Sequence, residues 1–314
     1  MALKALKVLT ADAESGVVPV LVGPRTVWRA AADLVGLDEL PGELHDPFGA
    51  VRPDWRWGEP TVQSGCVAAE SVEVAARLCL DGNCDALVTA PLTKGGLAAA
   101  KRPFPGHTEL LESLCRARGF DVRATMMLAG DRLRVFLVTT HAPLAEVPRL
   151  VTRESVLRTL TAAHGALEGD LAISSPRLAV AGLNPHAGEG GVLGSEEQSA
   201  IAPAVSDARH KGIDAVGPLA ADTLFVRAYQ GEFDAVVAMY HDQGLPALKL
   251  AHFWDGVNVT FGLPLVRTSP DHGTAFELAG KATAREDSFQ AAVRAAVTLA
   301  LRRRSRASFQ GVAS

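Results

Sequence analysis

Ala179-Val180-Ala181-Gly182-Leu183-Asn184-Pro185-His186-Ala187-Gly188-Glu189-Gly190-Gly191 reads as a buried strand that stops in a polar, glycine-rich loop carrying one histidine. The apolar run gives way abruptly to glycine, asparagine and proline, the residues that break regular structure. Two other stretches repeat the design. Val135-Phe136-Leu137-Val138-Thr139-Thr140 runs into His141, and Ala235-Val236-Val237-Ala238-Met239-Tyr240 runs into His241-Asp242. In open α/β sheets ligands gather beyond the carboxyl ends of the strands. Three apolar strands that each end in a histidine therefore suggest one site at the carboxyl edge of a parallel sheet.

Around these strands, strand and helix patterns alternate nearly throughout. Leu3, Leu6 and Leu9 share a helical face over 1–9, and further helices are predicted over 26–37, 63–80, 93–100, 152–167 and 288–303. Strands are predicted over 17–22, 85–89 and 257–261. The stretch 41–60, with Trp55 and Trp57, reads as irregular, as do the loops at Pro103-Phe104-Pro105-Gly106 and from Gly217-Pro218 to Ala221. Residues 124–129 and 133–139 read as adjacent strands joined at Gly130-Asp131, an antiparallel pair in a mixed sheet. Ser195-Glu196-Glu197-Gln198 has the spacing of a capping box, and Asp222 and Asp271-His272-Gly273-Thr274 are expected to open helices. The fold class is α/β with a largely parallel sheet.

The bulk numbers fit. With 314 residues the chain suits two domains or one large α/β unit. A hydrophobic fraction of 48% and a net charge of -4 give no electrostatic case for nucleic acid or an anionic membrane. Arg302-Arg303-Arg304 closes the last predicted helix, where cations suit the dipole. Cys66, Cys79, Cys84 and Cys115 form no CxxC pair and are expected to be reduced thiols of a cytoplasmic protein. No apolar run reaches membrane-spanning length and no signal peptide pattern opens the chain.

His141, His186 and His241 are candidate ligands of a divalent metal, since a catalytic zinc takes three protein ligands and leaves one position open. The same pattern equally suits histidines that hydrogen-bond loop backbone. Asp242 could orient an imidazole or join the coordination. Gly188, Gly190 and Gly191 form neither a dinucleotide fingerprint nor a Walker loop, and Glu189, Glu196 and Glu197 around them would repel an anion. His107-Thr108 at a helix start is better placed for phosphate or carboxylate. Lys94, Lys249 and Arg267 lie near strand ends and could clamp a phosphorylated substrate, although each taken singly is more often a solvated cation. Asn258 lies inside a predicted strand, where an amide wants a partner.

Taken together, five stretches resemble the 4-hydroxythreonine-4-phosphate dehydrogenase family of vitamin B6 synthesis. They are Pro105-Gly106-His107-Thr108-Glu109, Gly182 to Gly191, Gly217-Pro218-Leu219-Ala220-Ala221-Asp222-Thr223, Tyr240-His241-Asp242-Gln243-Gly244-Leu245-Pro246 and Arg267 to Ala275. The resemblance implies two α/β/α lobes like those of isocitrate and isopropylmalate dehydrogenases, with the active site in a cleft. On that reading residues 1–140 and 270–314 form the first lobe, and 141–269 the second with the dimer interface. It implies a homodimer sharing a zinc, magnesium or cobalt site, with His141 and His186 from one subunit and His241 from the other. It implies that His107, Thr108, Lys249, Asn258 and Arg267 bind a small phosphorylated hydroxy acid, and that NAD or NADP is held without a Rossmann loop. The metal would lower the pKa of the substrate alcohol while hydride passes to the nicotinamide, leaving a β-keto acid that loses CO2. Asp242 and Lys249 are the candidate catalytic side chains, Asp242 for the alcohol proton and Lys249, like His107, for the phosphate.

Members of the family open with a strand and a loop of the type GDPAGIGPE. Here Met1-Ala2-Leu3-Lys4-Ala5-Leu6 matches the helix that follows, and the expectation is a start codon read late within the gene. Other readings stay open. A paralogue could oxidise 4-phospho-D-threonate or D-erythronate phosphate, and another relative oxidises an aromatic cis-dihydrodiol dicarboxylate. Outside these lie an inactive metal or phosphate-ester binding protein and, without the resemblance, a zinc hydrolase.

Overall fold

The computed structural model describes residues 1–49, 56–102 and 104–312; Trp55 and Pro103 of the sequence reading lie outside them. Contacts divide the chain into two compact units, Met1–Ala124 with Leu263–Leu301, and Thr125–Gly262 with Arg302–Ser314. Both are α/β.

In the first unit, β1 (Val20–Val22) pairs in parallel with β2 (Glu43–His45), and β3 (Ala86–Val88) pairs in parallel with a late strand, Val266–Pro270. The opening helix Ala2–Ala11 buries Leu3, Leu6 and Leu9 against Leu21, Ala32, Phe289 and Val293, the face its apolar spacing prescribes. The helix Val62–Leu80 starts at a capping box, in which Thr61 and Ser64 satisfy each other's backbone N–H.

The second unit carries β4 (Thr125–Ala129), β5 (Arg134–Leu137), β6 (Leu178–Ala181), β7 (Ala215–Leu219), β8 (Ala235–Ala238) and β9 (Val257–Phe261), in the order β9-β4-β5-β8-β6-β7. The expected β4–β5 hairpin is antiparallel, with Gly130 N–H bonded to Leu133 O across the turn. Only glycine fits there, because an added Cβ would lie 2.1 Å from the ring of His252. Beyond β5 the sheet is parallel, and every residue of β6 and β8 is buried. Strands covered on both faces read as unbroken apolar runs, which is how the sequence shows them. Val236, Ala238, Ala179, Leu137, Leu245 and Leu248 share one core cluster of this unit.

The remaining strand, β10, is Val266–Pro270 of the first unit. It differs from expectation, as do several other segments. Arg267 lies inside β10, where a polar stretch hides the apolar pattern. Gly217-Pro218, read as loop, lies within β7 at the end of the strand order, where a proline breaks no second ladder. β2 lies in the stretch read as irregular. Asp271-His272-Gly273-Thr274 opens no helix: the His272 ring bonds Gly273 O in a turn, and the long helix starts at Asp287. Arg302 and Arg303 of that helix bond Leu171 O and Asp170. Among the described residues no helix is long and apolar enough to cross a membrane.

Candidate active site

In the first unit the helix His107–Ala117 begins at Gly106, and no side chain caps it. Its first backbone N–H groups are therefore available to an anion. Burial, reinforced by the Arg267 charge, lowers the His107 pKa to about 3, against a backbone hydrogen bond at Ala90 that favours the cation. The ring is thus neutral, and its Nε2 is buried without a hydrogen-bond partner among the described residues. Arg267 is 3% exposed and donates from Nη2 to Thr89 Oγ1 at 2.8 Å. Burial lowers its pKa to about 10 and the Glu109 carboxylate raises it, so the guanidinium stays charged at neutral pH. A buried guanidinium and the N–H groups of a helix start are both groups that attract phosphate or carboxylate. Thr108 follows His107 on the helix and is half-buried, whereas Lys94, first in the helix Lys94–Ala99, is exposed.

In the second unit the strand ends deliver the histidines. β5 and β8 are parallel neighbours in the register Leu137↔Ala238, and Thr139 bonds Met239 O through both its N–H and its hydroxyl. His141 and His241 consequently stand together, ring centroids 5.7 Å apart. Within this chain the two rings that lie near each other are those of His141 and His241. His241 is also the first residue of a helix, His241–His252, that carries Lys249, half-buried. His241 Nδ1 lies 2.6 Å from Asp242 Oδ1, which fixes the ring and leaves Nε2 for a ligand.

His186 follows β6, the other neighbour of β8, and is exposed. It begins a run of six residues with positive φ: His186 53°, Ala187 53°, Gly188 77°, Glu189 43°, Gly190 69° and Gly191 100°. The left-handed conformation costs a non-glycine residue about 1–2 kcal/mol. His186, Ala187 and Glu189 hold it together, so the surroundings must impose it. Glu197, which the sequence reading placed among carboxylates repelling an anion, is buried and accepts from Leu183 N–H and Asn184 N–H, both at 2.7 Å, and from the Asn184 amide at 3.0 Å. Gln198, expected in a capping box with Ser195, donates its amide to Gly190 O instead. Sequence reasoning missed Glu197, since a carboxylate beside a glycine loop reads as solvated until the loop's N–H groups are seen to point at it.

Two of the three expected ligands are therefore adjacent, and the donor set of imidazoles with a carboxylate behind one of them suits zinc or a similar divalent ion. Among the described residues no group of three His, Cys, Asp or Glu is drawn together closely enough to hold a metal. Asn258 in β9 donates to Met126 Sδ at 3.1 Å and keeps its Oδ1 buried without a partner among the described residues.

Comparison with known proteins shows what the chain is similar to. The model of the family described as pyridoxal phosphate biosynthetic protein PdxA matches residues 17–296. A 4-hydroxythreonine-4-phosphate dehydrogenase of Geobacter metallireducens is 56% identical over 247 residues, 79% of this chain and 71% of that protein. One from Trichlorobacter lovleyi is 50% identical over 304 residues, 91% of this chain and 89% of that protein. The crystal structure of the Klebsiella pneumoniae 4-hydroxythreonine-4-phosphate dehydrogenase superposes with a TM-score of 0.80 at 34% identity, covering 95% of each chain. The chain belongs to the PdxA family.

Proposed function

We propose that the chain is a metal-dependent, NAD(P)-linked oxidoreductase. It oxidises 4-phosphooxy-L-threonine to 2-amino-3-oxo-4-phosphooxybutanoate, which decarboxylates to 3-amino-2-oxopropyl phosphate for pyridoxine synthesis. The observation that carries this reading is the buried Arg267 beside a neutral His107 at an uncapped helix start, in a chain whose relatives bear the name of that dehydrogenase.

Each residue has a stated task in this proposal. Arg267 supplies fixed positive charge to the phosphate, with Thr108 and the helix N–H groups completing the grip. His107 Nε2 offers the last hydrogen-bonding position there and takes up a proton as the anion arrives. Lys249 and Asn258 bind the same substrate. His141, His186 and His241 would hold a divalent zinc, magnesium or cobalt ion. When bound, that ion supplies Lewis acidity toward the substrate hydroxyl, and the nicotinamide supplies the hydride acceptor. Asp242 keeps the His241 ring oriented and is the candidate acceptor of the alcohol proton, at the other end of its carboxylate. The active form is a cytoplasmic homodimer in which both subunits contribute to the metal site.

The test is NAD(P)H formation by the purified chain with added zinc or magnesium, on 4-phosphooxy-L-threonine and 4-phospho-D-threonate side by side. Preference for the amino substrate supports the proposal. Preference for the threonate makes the protein a catabolic relative, and silence on both with each cofactor and metal overturns the enzymatic reading.

A further inference from the structure

The helix His241–His252 ends in a buried histidine that the proposed chemistry does not use. His252 is 6% exposed, and contacts from several elements of the second unit meet on its ring. Nδ1 lies 3.0 Å from Asp255 Oδ2, and Nε2 accepts the Arg132 N–H of the β4–β5 turn at 3.4 Å. A neutral ring that accepts at Nε2 carries its proton on Nδ1, so it donates to Asp255. The turn is moulded to this ring, since a Cβ on Gly130 would lie 2.1 Å from it. Tyr229, last in the helix Ala221–Tyr229, places its ring centroid 6.4 Å from that of His252, with the Arg132 guanidinium carbon 4.1 Å from the tyrosine centroid. Gly256 N–H then bonds His252 O at 3.0 Å, and the chain enters β9 at Val257.

We infer that His252, held by Asp255, is a positioning residue that fixes Lys249 relative to Asn258 for the substrate. Three observations carry this. Lys249 precedes His252 by three residues, so the two are neighbours on the helix surface. Asn258 stands opposite Leu128 of β4 and donates to Met126 on the same strand face. That face is the one this helix covers, because Met126 and Leu128 pack in one cluster with Leu245 and Leu248. His252 is thus where the helix carrying Lys249 is fastened, by side chain, to the turn after β4 and to the loop before β9. Both ring nitrogens are engaged, so the fastening has a direction that apolar packing alone would not give it.

The inference rests on the proposed reading of Lys249 and Asn258 as substrate ligands, and its test separates the two. Affinity for 4-phosphooxy-L-threonine is measured by titration calorimetry on wild type, His252→Phe, Asp255→Ala and Asp255→Asn, with circular dichroism as the check of the fold. One hydrogen bond to a charged group is worth about 10–100-fold in affinity. His252→Phe and Asp255→Ala are expected to weaken binding within that range. Asp255→Asn, whose amide oxygen still accepts from Nδ1, is expected to recover most of the loss. In kinetics, KM is expected to rise while kcat stays within about twofold. His252→Phe added to the double variant Lys249→Met with Asn258→Ala is expected to cost nothing further, since the groups it positions are gone. Wild-type affinity in a folded His252→Phe, or an undiminished further loss in the double variant, overturns the inference. If His252→Phe fails to fold, Asp255→Ala alone decides. A double variant that binds the substrate as tightly as wild type fails the reading of Lys249 and Asn258 itself, and the inference falls with it.

Discussion

The two units prepare their polar groups in opposite ways. In the first, His107 and Arg267 sit on a regular helix and strand with relaxed backbone, and what is unusual is the burial of the Arg267 side chain and of His107 Nε2. In the second, His141 and His186 are exposed, and what is unusual is backbone, six successive left-handed residues fastened to a buried carboxylate. A phosphate site gains from a dry, fixed charge, because electrostatic attraction strengthens where water is excluded. A metal site needs ligands set at defined directions, and a strained loop sets a direction that a helix or strand cannot. One region invests in desolvation and the other in conformation, and substitutions should fail differently in each.

The largest expected effect is at the strained loop. On the proposed metal reading His186→Ala removes a ligand whose ion would supply several kcal/mol to the transition state, so turnover is expected to fall by roughly three orders of magnitude with the fold kept. Steady-state assays over a range of added zinc check this, and full activity in metal-free buffer would sink the ligand assignment. Next comes the buried cation. Arg267→Met keeps volume and removes the charge, and kcat/KM on a phosphorylated substrate is expected to drop by roughly 100-fold, since deleting one partner of a desolvated charge pair costs about 2–5 kcal/mol.

The third expectation concerns pH. The His107 pKa in the folded chain is about 3, below its ordinary 6.5, because burial and Arg267 disfavour the cation. Between those values the unfolded chain binds the proton more readily than the folded one. This group therefore lowers stability as pH falls through that window, by up to about 1.4 kcal/mol per pH unit. Urea unfolding at stepped pH should show a flatter acid limb in His107→Gln than in wild type; superimposable limbs would mean that His107 is not held neutral. The smallest effect should come from Glu189→Gly. Relief of left-handed strain at this exposed position offsets the entropy of an added glycine, leaving stability unchanged or raised by about 0.5–1 kcal/mol. A clear drop in melting temperature would show that the Glu189 side chain makes a contact the loop needs.

How far the sequence reaches follows the same division. The strand ends at His141, His186 and His241 were legible, because a doubly buried strand is a short apolar run and its end is abrupt. The β4–β5 hairpin was legible for the same reason. β10 was not, since Arg267, Thr268 and Ser269 are buried polar residues whose partners lie far away in sequence: Thr89 for Arg267, Ala292 O for Thr268. β7 was hidden by Gly217-Pro218, a pair that reads as a turn everywhere except at a sheet edge. The role of Glu197 was invisible because it depends on where the loop's N–H groups point, which no local pattern encodes.

The proposal that Arg267 of the first unit reads the phosphate is tested most directly with one variant and two substrates. Arg267→Met and wild type are compared for kcat/KM on 4-phosphooxy-L-threonine and on 4-hydroxy-L-threonine, which lacks the phosphate, at saturating zinc. The account predicts a large penalty on the phosphorylated substrate and almost none on the other, whose turnover is already poor in wild type. An equal penalty on both would show that Arg267 supports the fold or the chemistry rather than the phosphate, and would contradict the division of labour.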